Sequence, residues 1–524
     1  MMKKLMAVIV ALVLALSLSC AAMAVSEPTA AKVNPVVELD SGKLMGFMNG
    51  DTYCFWGVDY AYAERFQAPQ PVEPWEGVKY AQSYGCISLI PDQTSVGTDE
   101  FYWPHRYWIQ NDHCQNLNIW TQSIGETASK PVIVFFHGGG FTNGSSIESV
   151  AYDGQNLSEF GDVVVVTVNH RLNVVGFLDL SSFGEKYAGS ANNGMADLAM
   201  SLQWIHDNIA KFGGDPDNVT IFGQSGGGSK VTTLMRMPSA QGLFHKAGVI
   251  SGGSATIQTN DSSARVGELT AQILGLTEET IDEIQTMDYR TVYAAAQQAL
   301  TMAQEEEGYV AYSFGPCADG ETVMSDFLDI QGMPVIVSSC FSESANASYK
   351  TGDQRHNEWT EEETAAWLNE RFGDKADALL AEFRKLYPNK SDANLYFYNN
   401  SHASVVTKSD ALLQAGAVVY DYQFDYEAPV NGGVTAFHCS DLIYVFHNVD
   451  LPLCTIGTGG DENAHRIQDQ MAGAFINLAY NGTPSTSELP WSAYTPEGRE
   501  LMLFDVTSQC VNFDDVAFND ILNG

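Results

Sequence analysis

Apolar positions follow two rhythms along this chain of 524 residues. Short unbroken runs rich in valine, isoleucine and phenylalanine occupy 131–136, 163–168 and 219–222, with further strand-like runs at 117–121, 334–339 and 418–424. Runs without polar alternation predict strands covered on both faces. The stretch 193–209 instead carries Leu198, Leu202, Ile205 and Ile209 at helical spacing, and Gly213-Gly214-Asp215-Pro216 predicts where it stops. Strand, helix and strand in this rhythm predict an α/β fold with a mostly parallel central sheet and helices on both faces. Ahead of it, 36–39, 44–47 and 52–56 are parted by Asp40-Ser41-Gly42 and Asn49-Gly50-Asp51, which predicts a small antiparallel meander. The region 262–307 is mostly helical in pattern. Thr360 and Glu363 spell a capping box for a helix running toward Phe372, and 374–386 continues helically to stop before Pro388.

The first 24 residues change the picture of where this chain works. Lys3-Lys4, an apolar run at 5–18 and Ala22-Met23-Ala24 have the form of a secretory signal peptide cleaved after Ala24. The run is short for a bilayer span. Cys20 offers a lipoprotein anchor as the alternative, but Ser17 stands where an aliphatic residue is expected. The expected location is secreted or periplasmic. Lys and Arg number 26 against 64 Asp and Glu, a net charge of −38, and the leader removes two lysines and no acid. Such a surface repels nucleic acid and anionic lipid and favours neutral or cationic small molecules. Nine cysteines leave eight after cleavage, an even number that permits disulfides in an exported chain. No CxxC pair, HExxH or clustered His/Cys set is present, so no metal or cofactor is expected.

Candidate chemistry lies where the strand 219–222 ends. Gly223-Gln224-Ser225-Gly226-Gly227 has the G-x-S-x-G form of a nucleophile elbow, a sharp strand-to-helix turn in which side chains two before and two after the serine would clash. The strand 131–136 runs into His137-Gly138-Gly139-Gly140-Phe141, and a glycine run there lets backbone N–H groups face a ligand. A serine hydroxyl needs a base within reach, and the base needs a third group to hold its tautomer. Of the eleven histidines, His438 follows a strand and the loop Asn431-Gly432-Gly433, at the strand end where open α/β sheets place their sites. Glu343 follows the strand 334–339 by a few residues, although many other acids remain available on chemistry alone.

Taken in order, these segments resemble the type-B carboxylesterase/cholinesterase family of the α/β-hydrolase fold. The resemblance rests on Phe135 through Phe141, on Asn208 through Ser225, on Gly242-Leu243-Phe244-His245-Lys246-Ala247, on Ala436-Phe437-His438 with 441–446, and on 475–482 with Pro490-Trp491. It covers nearly all of the mature chain. It implies Ser225 as nucleophile, Glu343 as acid and His438 as base, in the α/β-hydrolase order. Gly139, Gly140 and Gly226 are implied as oxyanion-hole donors, and Cys86 with Cys114 as the first disulfide. Asn111-Asp112-His113 replaces the usual Ser-Glu-Asp before Cys114. Gln224 stands where the family usually has glutamate, and Gly226 where it usually has alanine. Trp103 is a possible analogue of the cholinesterase tryptophan that holds a cationic alcohol by cation–π contact.

The implied activity is hydrolysis of a small carboxylic ester through an acyl-enzyme. The alternatives are an inactive binding or adhesion module of the same fold, or an amidase or lipase using the same three residues. Length alone suggests about three domains. Gly139 and His438 must meet at Ser225, however, so residues 25–524 are expected to form one catalytic domain, with the helices between 262 and 410 walling the site.

Overall fold

A computed structural model describes residues 34–92, 102–259, 263–306, 313–344 and 355–524. The leader with Cys20, and Phe101 and Glu307, lie outside the described residues. Eleven strands form the central sheet: β1 Phe47–Asn49, β2 Thr52–Asp59, β3 Asn116–Thr121, β4 Lys130–Phe136, β5 Val164–Val168, β6 Gly214–Gln224, β7 Lys246–Ile250, β8 Pro334–Cys340, β9 Val418–Phe424, β10 Glu500–Phe504 and β11 Gln509–Asn512. Their order across the sheet is β11-β10-β9-β8-β7-β6-β4-β5-β3-β2-β1. From β10 to β5 all neighbours run parallel, and the strands outside them pair antiparallel.

The unbroken apolar runs have a direct cause. Val132, Val134, Phe136, Val164 and Val166 point into one core, with Leu198, Leu202 and Ile205 of α1 (Asn193–Asn208), Val231 and Leu234 of α2 (Gly226–Leu234), Val266 of α3 (Ser263–Ile273) and Val292 of α4 (Tyr289–Glu305). Ile133, Phe135 and Val165 point the other way, into a second core with Leu368 of α5 (Glu361–Phe372), Phe383 of α6 (Ala376–Leu386) and Met471 and Phe475 of α7 (Glu462–Asn481). Each such side chain buried contributes roughly 1.5–3 kcal/mol, so neither face tolerates the polar alternation of a half-wet strand. The capping box at Thr360 and Glu363 is formed.

The N-terminal meander is corrected. Val36–Leu39 and Gly42–Met45 pair as an antiparallel hairpin, but their third partner is Val78–Tyr80, in parallel. The 44–47 run breaks at Gly46, where a Cβ would lie 2.3 Å from the Cys54 carbonyl oxygen. Phe47–Asn49 and Thr52–Asp59 then cross into the central sheet as β1 and β2. No helix among the described residues is long and apolar enough to cross a membrane.

Candidate active site

The turn after β6 holds Ser225 at φ 58° and ψ −123°, a conformation that costs on the order of 1–3 kcal/mol outside glycine. The surroundings enforce it. A Cβ at Gly223 would sit 2.3 Å from the Gly227 carbonyl carbon, and one at Gly227 would sit 2.0 Å from the Phe136 carbonyl oxygen. The Ser225 N–H donates to the Ile250 carbonyl at 2.8 Å, so the end of β7 anchors the turn. Helix α2 starts at the next residue, and its first N–H groups and dipole face the ground in front of the serine.

Glu343 and His438 come from loops after β8 and β9 that are laced together. The Ser342 N–H donates to the Ala436 carbonyl at 2.9 Å, and the hydroxyls of Ser342 and Thr435 lie 2.9 Å apart. One Glu343 oxygen accepts from the Cys340 N–H at 2.7 Å, and the other accepts from His438 Nδ1. A carboxylate only accepts, so Nδ1 carries the ring proton and Nε2 presents a lone pair. Asp441, the other carboxyl near this pair, is occupied by the Tyr422 hydroxyl at 2.8 Å, and burial pushes it up to about 6. Burial works against a charged His438, but the adjacent Cys439 sulfur and the Glu343 carboxylate outweigh it and raise the ring above its ordinary range.

Gln224 lies beside His438. Its Nε2 is 3.2 Å from His438 Nε2, so the amide donates to the lone pair that a serine proton would need. Replacing it with a carboxylate puts a negative charge against the ring and favours the imidazolium. A general base works only when neutral, so with His438 in that role the rising limb of kcat/KM should move to higher pH in Gln224→Glu. A pH–rate profile of the variant checks this, and an unmoved limb would mean that the residue does not sense the ring.

A cavity of about 330 Å³ brings these residues together. It is lined by Ser225, Glu343, His438 and Gln224, by Gly138 and Gly139, and by Trp103 with Tyr152. Trp103 is buried edge-on against Tyr152. Gly139 and Gly140 have φ of 79° and 62°, in the left-handed region that favours glycine. A Cβ at Gly226 would lie 2.2 Å from the Gly140 carbonyl oxygen, so the alanine usual at this place would not fit under this loop. His105, Glu148 and Cys439 also line the cavity. Sequence reasoning missed them because loops, not periodic elements, deliver them.

The expected Cys86–Cys114 bridge is absent. All eight cysteines of the described residues are free thiols. Asn116 joins the two segments instead, its Nδ2 donating to the Cys86 carbonyl at 2.7 Å and the Cys114 carbonyl at 3.2 Å. Beside them, in the altered Asn111-Asp112-His113 segment, Arg65 forks both oxygens of Asp112 at 2.8 and 2.7 Å. Among the other aromatic residues of this stretch, Tyr102 is buried while Tyr107 and Trp108 are exposed.

A mostly parallel sheet with a strained serine turn on a central strand is the architecture of an α/β hydrolase. The chain belongs to the carboxylesterase family, whose model matches residues 33–518, and it is a carboxylic ester hydrolase. It is 32% identical over 488 residues to the para-nitrobenzyl esterase of Bacillus subtilis, covering 90% of this chain and 94% of that one. A solved esterase from Clostridium hathewayi, described as able to hydrolyse aliphatic aromatic polyesters, superposes with a TM-score of 0.85 at 39% identity, covering 93% of this chain and 97% of that one. A carboxylesterase of Geobacillus stearothermophilus gives 0.70 at 29% identity, covering 93% and 100%.

Proposed function

We propose that Ser225, His438 and Glu343 form the catalytic triad of this hydrolase, acting through an acyl-enzyme. The observation that carries the reading is the Glu343–His438 hydrogen bond at the wall of the cavity that Ser225 also lines. Ser225 Oγ attacks the ester carbonyl while His438 Nε2 takes its proton, after the Gln224 amide yields that lone pair. Glu343 holds the ring and supports its charge. The N–H groups of Gly139, Gly140 and Gly226 receive the oxyanion. Collapse expels the alcohol, which takes the proton from His438, and a water activated by the same ring then frees the acid and restores Ser225.

Trp103 serves as a wall of the substrate cavity. The leader at 1–24 is removed on export, and residues 25–524 act as one catalytic domain. Aliphatic and aromatic esters are the first substrates to test, in view of the Clostridium hathewayi likeness. With 4-nitrophenyl acetate, a rapid burst of nitrophenol equal to the enzyme concentration should precede steady turnover if deacylation is the slower step. A folded protein that neither releases nitrophenol nor takes up an acyl group is a binding module instead.

A further inference from the structure

Lys230 lies in the second turn of α2 and has no exposed surface. No carboxylate among the described residues comes within ion-pair distance of it; Glu148 acts on it only through space. Its Nζ donates to the His137 carbonyl at 2.8 Å and reaches the Gly138 carbonyl at 3.5 Å, both in the glycine loop. The Gly138 carbonyl also faces His137 Nδ1 at 3.0 Å. An unpaired buried cation is costly, and one close to a helix N-terminus also opposes the dipole. The position serves solubility in no way and could be filled by an apolar residue.

In a trans peptide the C=O and the following N–H point in opposite directions. Holding the Gly138 carbonyl from below therefore turns the Gly139 N–H away from Lys230, and Gly139 lines the cavity. We propose that Lys230 is a positioning residue for the oxyanion hole: its buried ammonium clamps the carbonyls of His137 and Gly138, aims the peptide N–H groups that follow, and places positive charge beneath the developing oxyanion. This rests on the assignment of Ser225 and the glycine loop above. Its ionisable surroundings are His137 and His170, whose rings lie 5.3 Å apart, and Glu148. Burial and the lysine itself keep both histidines neutral. Burial lowers Lys230 to about 7, so its charge is present in mild acid and is lost as the pH rises.

The test compares the wild-type enzyme with Lys230→Met and with Lys230→Gln, which keeps a donor without the charge. In acid, Lys230→Met should lose about 100-fold in kcat/KM, comparable to one oxyanion donor. Its affinity for a trifluoromethyl ketone that mimics the tetrahedral intermediate should fall by the same factor, with KM little changed. The ratio of wild-type to variant kcat/KM should shrink as the pH rises through neutrality, because the neutral amine keeps its N–H donors and loses only its charge, a comparison in which the His438 titration cancels. If Lys230→Met does not fold, Lys230→Gln carries the same ratio measurement. A ratio near one throughout, or a loss independent of pH and shared equally by KM, overturns the proposal. Ser225→Ala assayed alongside separates the two failures: if it is inactive while Lys230→Met is normal, only the role of Lys230 falls.

Discussion

Ser225→Ala should lower kcat by about a million-fold, close to 8 kcal/mol of transition-state stabilisation, because the remaining groups cannot form an acyl-enzyme. The substitution removes one oxygen and leaves the backbone as it was. The unusual φ of 58° is imposed by Gly223, Gly227 and the end of β7, and alanine fills the same Cβ position. The melting temperature and far-ultraviolet circular dichroism should therefore match wild type, and KM-like binding of a substrate ester should persist. Steady-state hydrolysis of 4-nitrophenyl acetate by protein free of wild-type carry-over checks the loss. Turnover within tenfold of wild type would remove Ser225 from the chemistry.

Glu343→Gln should lower kcat on the order of 10⁴-fold with a much smaller change in KM. The glutamate accepts from both the Cys340 N–H and His438 Nδ1. A glutamine amide in its place can present an N–H to the ring, which favours the tautomer with the proton on Nε2. That tautomer cannot accept the serine proton. Glu343 also helps raise His438, so the rising limb of the residual kcat/KM should move to lower pH as the base becomes weaker. A near-normal kcat would direct attention to Asp441, the other buried carboxyl beside the pair.

The parts of this molecule that were legible in the sequence are those where a local pattern has one physical cause. Valine-rich runs such as 163–168 mark central strands because both faces of the sheet are covered, and the glycines flanking Ser225 are required by atoms a few residues away. Gln224 could be placed for the same reason, since it directly precedes the serine. Glu343 was harder, because its position depends on a loop tied to Ala436, some ninety residues on, by a backbone hydrogen bond that no periodicity announces. The edge strand β11 with its neighbour β10, and Val78–Tyr80 beside the N-terminal hairpin, are short and paired by tertiary context. Cys86 and Cys114 were paired by resemblance alone, and Asn116 fills that linking role. Lys230 has the pattern of an ordinary solvated helix residue until the glycine loop folds over it.

The direct test of the Ser225 assignment is covalent. Diethyl 4-nitrophenyl phosphate transfers its diethyl phosphoryl group to an activated serine oxygen and releases 4-nitrophenol. Intact mass measurement after incubation should show one phosphoryl group per chain, esterase activity should fall in proportion to labelling, and peptide mapping should place the group on Ser225. Complete inactivation with the label on another residue and Ser225 unmodified, or undiminished ester hydrolysis by fully Ser225-labelled protein, would contradict it.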